Sequence, residues 1–303
     1  MDNNVSSQPL VSCTVLSYNS SKTIIETLDS IAAQTYSNIE LIVSDDCSND
    51  NTVEVVSQWL DSHKSRFVRT LLLTVPNNTG VCANSNRALN ACQGVWKKGI
   101  AADDILLPDC IADFVSYVDE HPAAMWVSSQ IRKYYNTFDE ENCFAREHVM
   151  SRSFFDCEVN EQLKIMARRD VVYAQALFIN RHFLQMIGGY DESLAFEDYS
   201  FCMDALESGH KCYLLEKETA CYRIHDSMCR SSERIFNYNF LKKVRPFYIE
   251  RCFKYLSKWQ ILGIKIQWKV EDVFEYIGMN SNKRHINVFL YKKLSGAVLR
   301  IFK

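Results

Sequence analysis

Short apolar runs alternate with amphipathic stretches along the first 120 residues. Residues 10–19 form a nearly continuous apolar run that ends in Ser17, Tyr18 and Asn19, the pattern of a buried strand entering a turn. Ser20 or Ser21 then offers a helix cap, and Ile24, Ile25, Leu28, Ile31 and Ala32 recur at helical spacing up to Gln34. Residues 39–44 read as a second strand, followed by Asp45-Asp46 and a helix from Thr52 to about Trp59. Residues 67–75 give a third strand, 77–80 a turn and 81–92 a helix. Residues 100–102 predict a short buried strand, and Pro108 opens the next helix, over 111–121. This alternation predicts an α/β fold with a mostly parallel, right-handedly wound sheet.

The pattern changes beyond Pro122. Residues 125–135 are apolar and aromatic and predict a strand, whereas 136–153 are polar and irregular, either a cover for a site or a surface excursion. A strand over 171–179 and a short helix over 181–187 follow, the helix ending at Gly188-Gly189. A helix over 196–208, a strand over 211–215 and a stretch over 220–227 complete this half.

Composition narrows the class. Over 303 residues, 47% are hydrophobic and 23% charged, as in a globular protein. The net charge of −3 hides an asymmetry: residues 240–303 carry 14 Lys+Arg against 4 Asp+Glu, and the remainder carries 20 against 33. A basic tail on an acidic body implies an anionic partner for the tail and gives no overall case for nucleic acid. The 12 cysteines are scattered without a Cys-x-x-Cys, which speaks against zinc. Met1-Asp2-Asn3-Asn4 lacks the basic and apolar regions of a leader, and many unpaired cysteines then indicate a reducing cytosol. No run approaches the roughly 18 apolar residues of a spanning helix, so membrane contact is expected to be peripheral.

The candidate chemistry centres on Asp103-Asp104. Two carboxylates at the carboxyl end of a strand occupy the usual ligand crevice of an open α/β sheet and suit a hard divalent cation carrying phosphate oxygens. No Gly-x-Gly-x-x-Gly follows the first strand and no Gly-x-x-x-x-Gly-Lys-Ser/Thr occurs, which argues against a dinucleotide dehydrogenase and a P-loop enzyme.

The run of 11–19, Ser30-Ile31-Ala32-Ala33-Gln34-Thr35-Tyr36, residues 39–48, Asn78-x-Gly80 with Asn86, Gly94, Asp103-Asp104 with Pro108, and Gly188-Gly189-Tyr190-Asp191-Glu192-x-Leu194-x-Phe196-Glu197-Asp198-Tyr199 together resemble a family 2 glycosyltransferase of the GT-A fold. The resemblance covers about residues 9–228. It implies a GT-A domain over 1–230, with a nucleotide-sugar half (9–110) and an acceptor half (111–230), and a helical basic extension over 231–303. It implies that Ser17 and Tyr18 line the nucleotide pocket with Asn78 and Asn86, and that Asp46 or Asp45 accepts a hydrogen bond from uracil, a helix-capping role being compatible. It makes Asp103 the ligand of Mn²⁺ or Mg²⁺, with Asp104 beside it. Asp198 is then the general base and Glu197 binds or orients the acceptor. His225 would reach the metal or diphosphate, and Arg223 the phosphate. Two residues depart from the family pattern: Cys47 stands where a glycine is usual, and Ala101 replaces the leading Asp of the Asp-x-Asp motif.

The resemblance extends to bacterial O-antigen enzymes that act on GlcNAc- or GalNAc-diphospho-undecaprenol. It implies an inverting, metal-dependent hexosyltransferase of lipopolysaccharide biosynthesis, using UDP-glucose first or UDP-galactose second, with a β1-3 linkage. A capsule or protein acceptor, or a non-catalytic nucleotide- or glycan-binding module, are the alternatives. In the tail, basic residues interleave with Phe247, Tyr248, Phe253, Trp259 and Trp268, and 288–303 repeat the pattern, which suggests helices on an anionic surface. Packing on the catalytic domain with the lysines in water is the other reading. The expected location is the cytoplasmic face of the bacterial inner membrane.

Overall fold

The computed structural model describes residues 8–225 and 233–302. The N-terminal stretch read for a leader, residues 226–228 of the family resemblance and the boundary at 230/231 lie outside these residues. The chain divides into two compact units, one of residues 1–162 and 171–223, the other of residues 163–170 and 224–303.

In the first unit, β1 (Val11–Ser17), β2 (Ile39–Asp45), β3 (Arg69–Thr74) and β4 (Trp96–Ala101) are parallel neighbours in the order β3-β2-β1-β4. Helices α1 (Ile24–Ala32), α2 (Thr52–His63) and α3 (Val81–Ala91) make the crossovers. Strands covered on both faces need apolar side chains on both, and every residue of β2 is buried. On α1, Ile24, Leu28 and Ile31 are fully buried, each contributing about 1.5–3 kcal/mol of transfer free energy. Glu40 is the polar exception within β2. Its carboxylate accepts from Ser12 Oγ, the amides of Gln93 and Gly94, and Arg69, so the buried charge is satisfied. Gly94 is required there, because a Cβ would lie 2.6 Å from the Ser12 amide nitrogen.

The sheet continues through antiparallel strands: β5 (Ile105–Leu106), β6 (Trp126–Tyr135), β7 (Cys143–His148), β8 (Phe178–Asn180) and β9 (Tyr213–Ile224). β4 pairs with β8, β8 with β6, and β9 with β5. Around them lie α4 (Cys110–Glu120), α5 (Arg152–Phe155), α6 (Val159–Arg168), α7 (Arg181–Met186) and α8 (Asp198–Glu207). Trp96, Phe178 and Phe114 stack in series, with ring centroids 5.0 and 4.9 Å apart, and tie β4, β8 and α4 together.

Several expectations need correction. Ser20 and Ser21 do not cap α1. The Ser20 carbonyl instead accepts the amides of Thr23 and Ile24, and the helix starts at Ile24. Pro108 does not open α4, which begins at Cys110; the Pro108 carbonyl accepts the Thr35 amide. The polar stretch 136–153 contains β7, an edge strand on β6 whose alternate residues face solvent. Residues 171–179 form only the short β8 preceded by a single 3₁₀ turn, because a buried apolar run does not dictate extended backbone. Helix α6 was not anticipated.

The second unit holds α9 (Tyr238–Phe247), α10 (Lys258–Tyr276) and α11 (His285–Ile301). Ser257 and Gln260 form a capping box at the start of α10. Arg245 of α9 reaches Asp272 at 2.6 Å and Glu271 at 3.1 Å on α10. Among the described residues no helix is long and apolar enough to cross a membrane.

Candidate active site

Parallel register brings three polar strand ends to one edge. Ser17 is opposite Asp45 across β1 and β2, and Leu16 is opposite Ala101 across β1 and β4. Tyr18 and Asp46 therefore follow side by side, with Asp103 and Asp104 just beyond β4. This is the carboxyl edge of the parallel sheet, where open α/β folds bind ligands. Tyr18 is 48% exposed, a large apolar ring left in solvent at this edge.

The first acidic pair is heavily bonded. Asp45 accepts from Ser17 Oγ at 2.9 Å and from Ser48 N and Oγ at 2.8 and 2.5 Å. Asp46 accepts from Thr79 N and Oγ1, Gly80 N and Arg87. Burial opposes ionisation of Asp46, but these donors prevail and hold its carboxyl below the usual range. Asn78 donates to the Asp46 carbonyl at 3.1 Å. Cys47, between the pair and Ser48, adopts φ = 68°, the left-handed conformation for which glycine is the usual residue.

The second pair is fixed by Arg223 of β9. The Arg223 amide donates to Asp104 Oδ1 at 2.8 Å and its Nε to the Asp103 carbonyl at 2.7 Å. Its Nη1 donates to the Asn136 carbonyl at 2.5 Å, its Nη2 to the Glu26 carboxylate, and the guanidinium lies 4.2 Å from the Phe138 ring centroid. Arg223 is only 7% exposed and holds the Asp103-Asp104 turn in place. Burial, then the charge of Asp103, pushes the Asp104 carboxyl well above its ordinary value. A buried carboxylate next to a more accessible one is stabilised by a bound cation. Among the described residues no three His, Cys, Asp or Glu converge as a complete cage. The two carboxylates fit an ion whose remaining ligands are water and phosphate oxygens.

The third pair, Glu197 and Asp198, opens α8. Glu197 is pushed up to about 7 by burial and then by the charge of Asp198. Burial also raises Asp198, but its carboxylate accepts the Tyr199 amide at 2.8 Å at the helix N-terminus, which favours its ionised form. The approach to α8 is pinned by Asn86. Its Nδ2 donates to the Tyr190 carbonyl and Glu192, both at 2.8 Å, and its Oδ1 accepts the Tyr190 amide at 2.9 Å. Gly189 has φ = 75° there, and a Cβ would lie 2.8 Å from Asn86 Oδ1.

Lys97 and Arg87 were missed from sequence. Lys97 is buried in β4, donates to Tyr190 Oη at 3.2 Å and lies within electrostatic reach of Glu197. Burial depresses its basicity. The strand expected over 100–102 begins earlier, at Trp96, and so takes in Lys97, which the expected span leaves outside. His225 immediately follows β9 and belongs to the second unit, whereas the other predicted site residues belong to the first.

Comparison with known proteins places these features. The family model described as Glycosyl transferase family 2 matches residues 12–175. Succinoglycan biosynthesis protein ExoO of Rhizobium meliloti is 25% identical over 72% of this chain, which spans 62% of ExoO, less than two thirds of that relative's length. The Escherichia coli UDP-Glc:alpha-D-GlcNAc-diphosphoundecaprenol beta-1,3-glucosyltransferase WfaP is 23% identical over 82% of this chain and 98% of its own. Among solved structures, S. aureus TarS 1–349 in complex with UDP-GlcNAc superposes with a TM-score of 0.62 at 18% identity, over 97% of this chain and 82% of that one. The mannosyltransferase PcManGT from Pyrobaculum calidifontis, in complex with GDP-Man and Mn²⁺, gives 0.57 at 20% identity, over 74% and 59%. The two structural likenesses speak to the fold, which is of the GT-A type.

Proposed function

The chain belongs to glycosyl transferase family 2, and on that premise we propose that it transfers a hexose, with inversion, from a UDP-sugar to GlcNAc- or GalNAc-diphospho-undecaprenol. UDP-glucose is the first donor and UDP-galactose the second, with a β1-3 linkage and a role in O-antigen synthesis. The observation that carries the reading is the strand register, which sets Asp103-Asp104 beside Tyr18 and the Asp45-Asp46 turn at one sheet edge. The WfaP likeness supports the donor and the lipid acceptor.

In this reading residues 9–110 hold the donor and 111–230 the acceptor. Tyr18 covers the uracil and Ser17 lines its pocket. Asp46 or Asp45 accepts from the base, Asn78 supports that turn, and Asn86 fixes the Gly188-Gly189-Tyr190 bend. Asp103 would hold Mn²⁺ or Mg²⁺, with Asp104 beside it meeting the nucleotide sugar. The chemistry a divalent cation supplies there is neutralisation of the charge that develops on the leaving diphosphate. Arg223 acts by positioning the carboxylates.

In the half-buried Glu197–Asp198 pair, Glu197 is the carboxyl pushed up to about 7 and so the one that carries a proton near neutral pH. Asp198, favoured as the anion by the Tyr199 amide, accepts the proton of the attacking hydroxyl. The acceptor oxygen bonds to the anomeric carbon as the bond to the diphosphate breaks on the opposite face, so one displacement inverts the centre once. Glu197, protonated, donates a hydrogen bond that orients the acceptor.

The second unit suits a membrane surface. On α11, Ile286, Phe289, Leu290, Leu294 and Ile301 are exposed at helical spacing beside Lys292, Lys293 and Arg300. The location that follows is the cytoplasmic face of the inner membrane, held peripherally.

The test is UDP release with UDP-glucose, UDP-galactose, GDP-mannose and a dTDP-sugar, each with a synthetic GlcNAc-diphospho-lipid, with Mn²⁺ or EDTA. Expected is acceptor-dependent turnover with a UDP-hexose, lost in EDTA and reduced about 100-fold or more in Asp103→Asn. Turnover confined to a GDP- or dTDP-sugar overturns the donor, and full turnover in EDTA overturns the metal.

A further inference from the structure

The second unit encloses a cavity that the proposed transfer chemistry does not use. It measures about 230 Å³ and is lined by Leu241, Val244, Trp268, Val298, Leu299 and Phe302, with Arg168 and Arg169 also in its wall. The apolar part is built by α9, α10 and the end of α11. Gly263 makes it possible: a Cβ there would lie 2.4 Å from that of Phe302, so only glycine lets the end of α11 settle against α10.

Two features give the cavity a polarity. Leu299 lines it and is 57% exposed, so the opening lies on the α11 side. On the same two helices Trp259, Leu262 and Ile301 are also exposed, and Trp259 is tied to the end of α11 by its Nε1 hydrogen bond to the Ile301 carbonyl at 3.1 Å. The opening is thus bordered by hydrocarbon. The charges differ. Arg245 is neutralised by Glu271 and Asp272. Arg168 donates only to the Phe302 carbonyl at 3.2 Å, and Arg169 is exposed with no carboxylate partner among the described residues. Among the described residues the wall therefore holds two guanidinium groups without a carboxylate partner, besides the paired Arg245 and Glu271, next to a mostly apolar hole. Guanidinium groups match phosphate geometry and chelate it bidentately. An apolar cavity excludes water and favours hydrocarbon.

We infer that this cavity binds the isoprenoid chain of the lipid-linked acceptor, with Arg168 and Arg169 meeting its diphosphate. The inference rests on the lipid acceptor proposed above and names where its chain is held. It separates recognition of the lipid, in the helical unit, from recognition of the sugar nucleotide, in the sheet unit.

Farnesyl diphosphate is a soluble probe carrying both parts. Binding to the full chain is measured by tryptophan fluorescence in saturating UDP and Mn²⁺, beside farnesol, inorganic diphosphate and a short-chain phosphatidic acid. Farnesyl diphosphate is expected to bind at least tenfold more tightly than any of the other three. Val298→Trp, which fills the cavity, should weaken it at least tenfold, and Arg169→Ala, a surface change that spares folding, severalfold. UDP affinity should be unchanged in both. Equal affinity for wild type and both variants overturns the site, and equal binding of phosphatidic acid overturns the isoprenoid. If the site fails while UDP-glucose still drives transfer to a water-soluble GlcNAc-diphospho acceptor, the proposed function stands alone. If transfer fails with that acceptor too, the function itself is at fault.

Discussion

At the end of β2, Asp46 accepts two backbone amides, a hydroxyl and a guanidinium, and its carboxyl is held below the ordinary range. At the start of α8, Glu197 and Asp198 are half-buried, and Glu197 is pushed up to about 7. Both sites are pairs of adjacent carboxylates on loops leading into helices. What separates them is the supply of donors. A buried carboxylate given several N–H and O–H groups becomes a fixed anion that organises a loop. One left with a like-charged neighbour and a single amide holds its proton loosely enough to exchange it near neutral pH. Residue type alone does not assign either role.

The largest effect should come from the donor-poor pair. Asp198→Asn removes the proposed proton acceptor while keeping the shape and an oxygen for the Tyr199 amide. Acceptor-dependent UDP release should fall by about 10²–10⁴-fold with UDP affinity retained, checked by steady-state kinetics beside calorimetry. Retained turnover would move the base elsewhere.

Glu197→Gln tests the same pair through stability. The Glu197 carboxyl binds its proton more tightly folded, at about 7, than at its ordinary 4.5. The wild type should therefore lose stability as pH rises from about 4.5 through 7. The variant lacks this loss. It should gain on the order of 1–3 kcal/mol over wild type at pH 8 and little at pH 4.5, read from urea denaturation at the two values. A gain independent of pH would mean the carboxyl is not perturbed.

Arg87→Met probes the donor-rich pair. It removes one partner of a buried carboxylate and leaves others, so destabilisation of about 1–3 kcal/mol is expected from thermal unfolding at pH 7. Below the range where Asp46 ionises the difference should shrink to what the Arg87 bonds to Asn84 and Thr79 contribute, because the folded-state preference for the anion has then been lost.

The smallest effect concerns Cys47. A left-handed non-glycine residue costs roughly 1 kcal/mol, so Cys47→Gly should stabilise by at most about that amount, less the extra chain entropy of glycine and the Sγ contact with the Pro76 carbonyl. A destabilised variant would show that the thiol contact outweighs the backbone strain.

Sequence carried the parallel half of the fold because buried parallel strands and amphipathic helices have distinct periods. β1, β2, β3 and the helices between them fall within a few residues of expectation. The antiparallel part of the sheet was harder for a physical reason. Residues 171–179 are apolar because they are buried, not because they are extended. β7 is a polar edge strand, and α6 mixes Leu163, Met166 and Ala167 with charged residues. The acidic pairs were visible as residues, and their places at strand ends followed from the period. Their donors were not. Arg223 reaches Asp104 across 119 positions, and Asn86 reaches Tyr190 across 104. Contacts at such separations leave no local pattern. Lys97 was passed over because a buried lysine in a strand has no periodic signature of its own.

The most direct test of the contrast between the two pairs is to measure kcat and Tm together for Asp198→Asn and Arg87→Met, with a UDP-hexose, Mn²⁺ and a GlcNAc-diphospho-lipid. The account predicts that Asp198→Asn loses about 10²-fold or more in kcat with Tm little changed, whereas Arg87→Met melts several degrees lower with kcat within a few-fold of wild type. The reverse pattern, a destabilised but active Asp198→Asn beside a stable but inactive Arg87→Met, would contradict it.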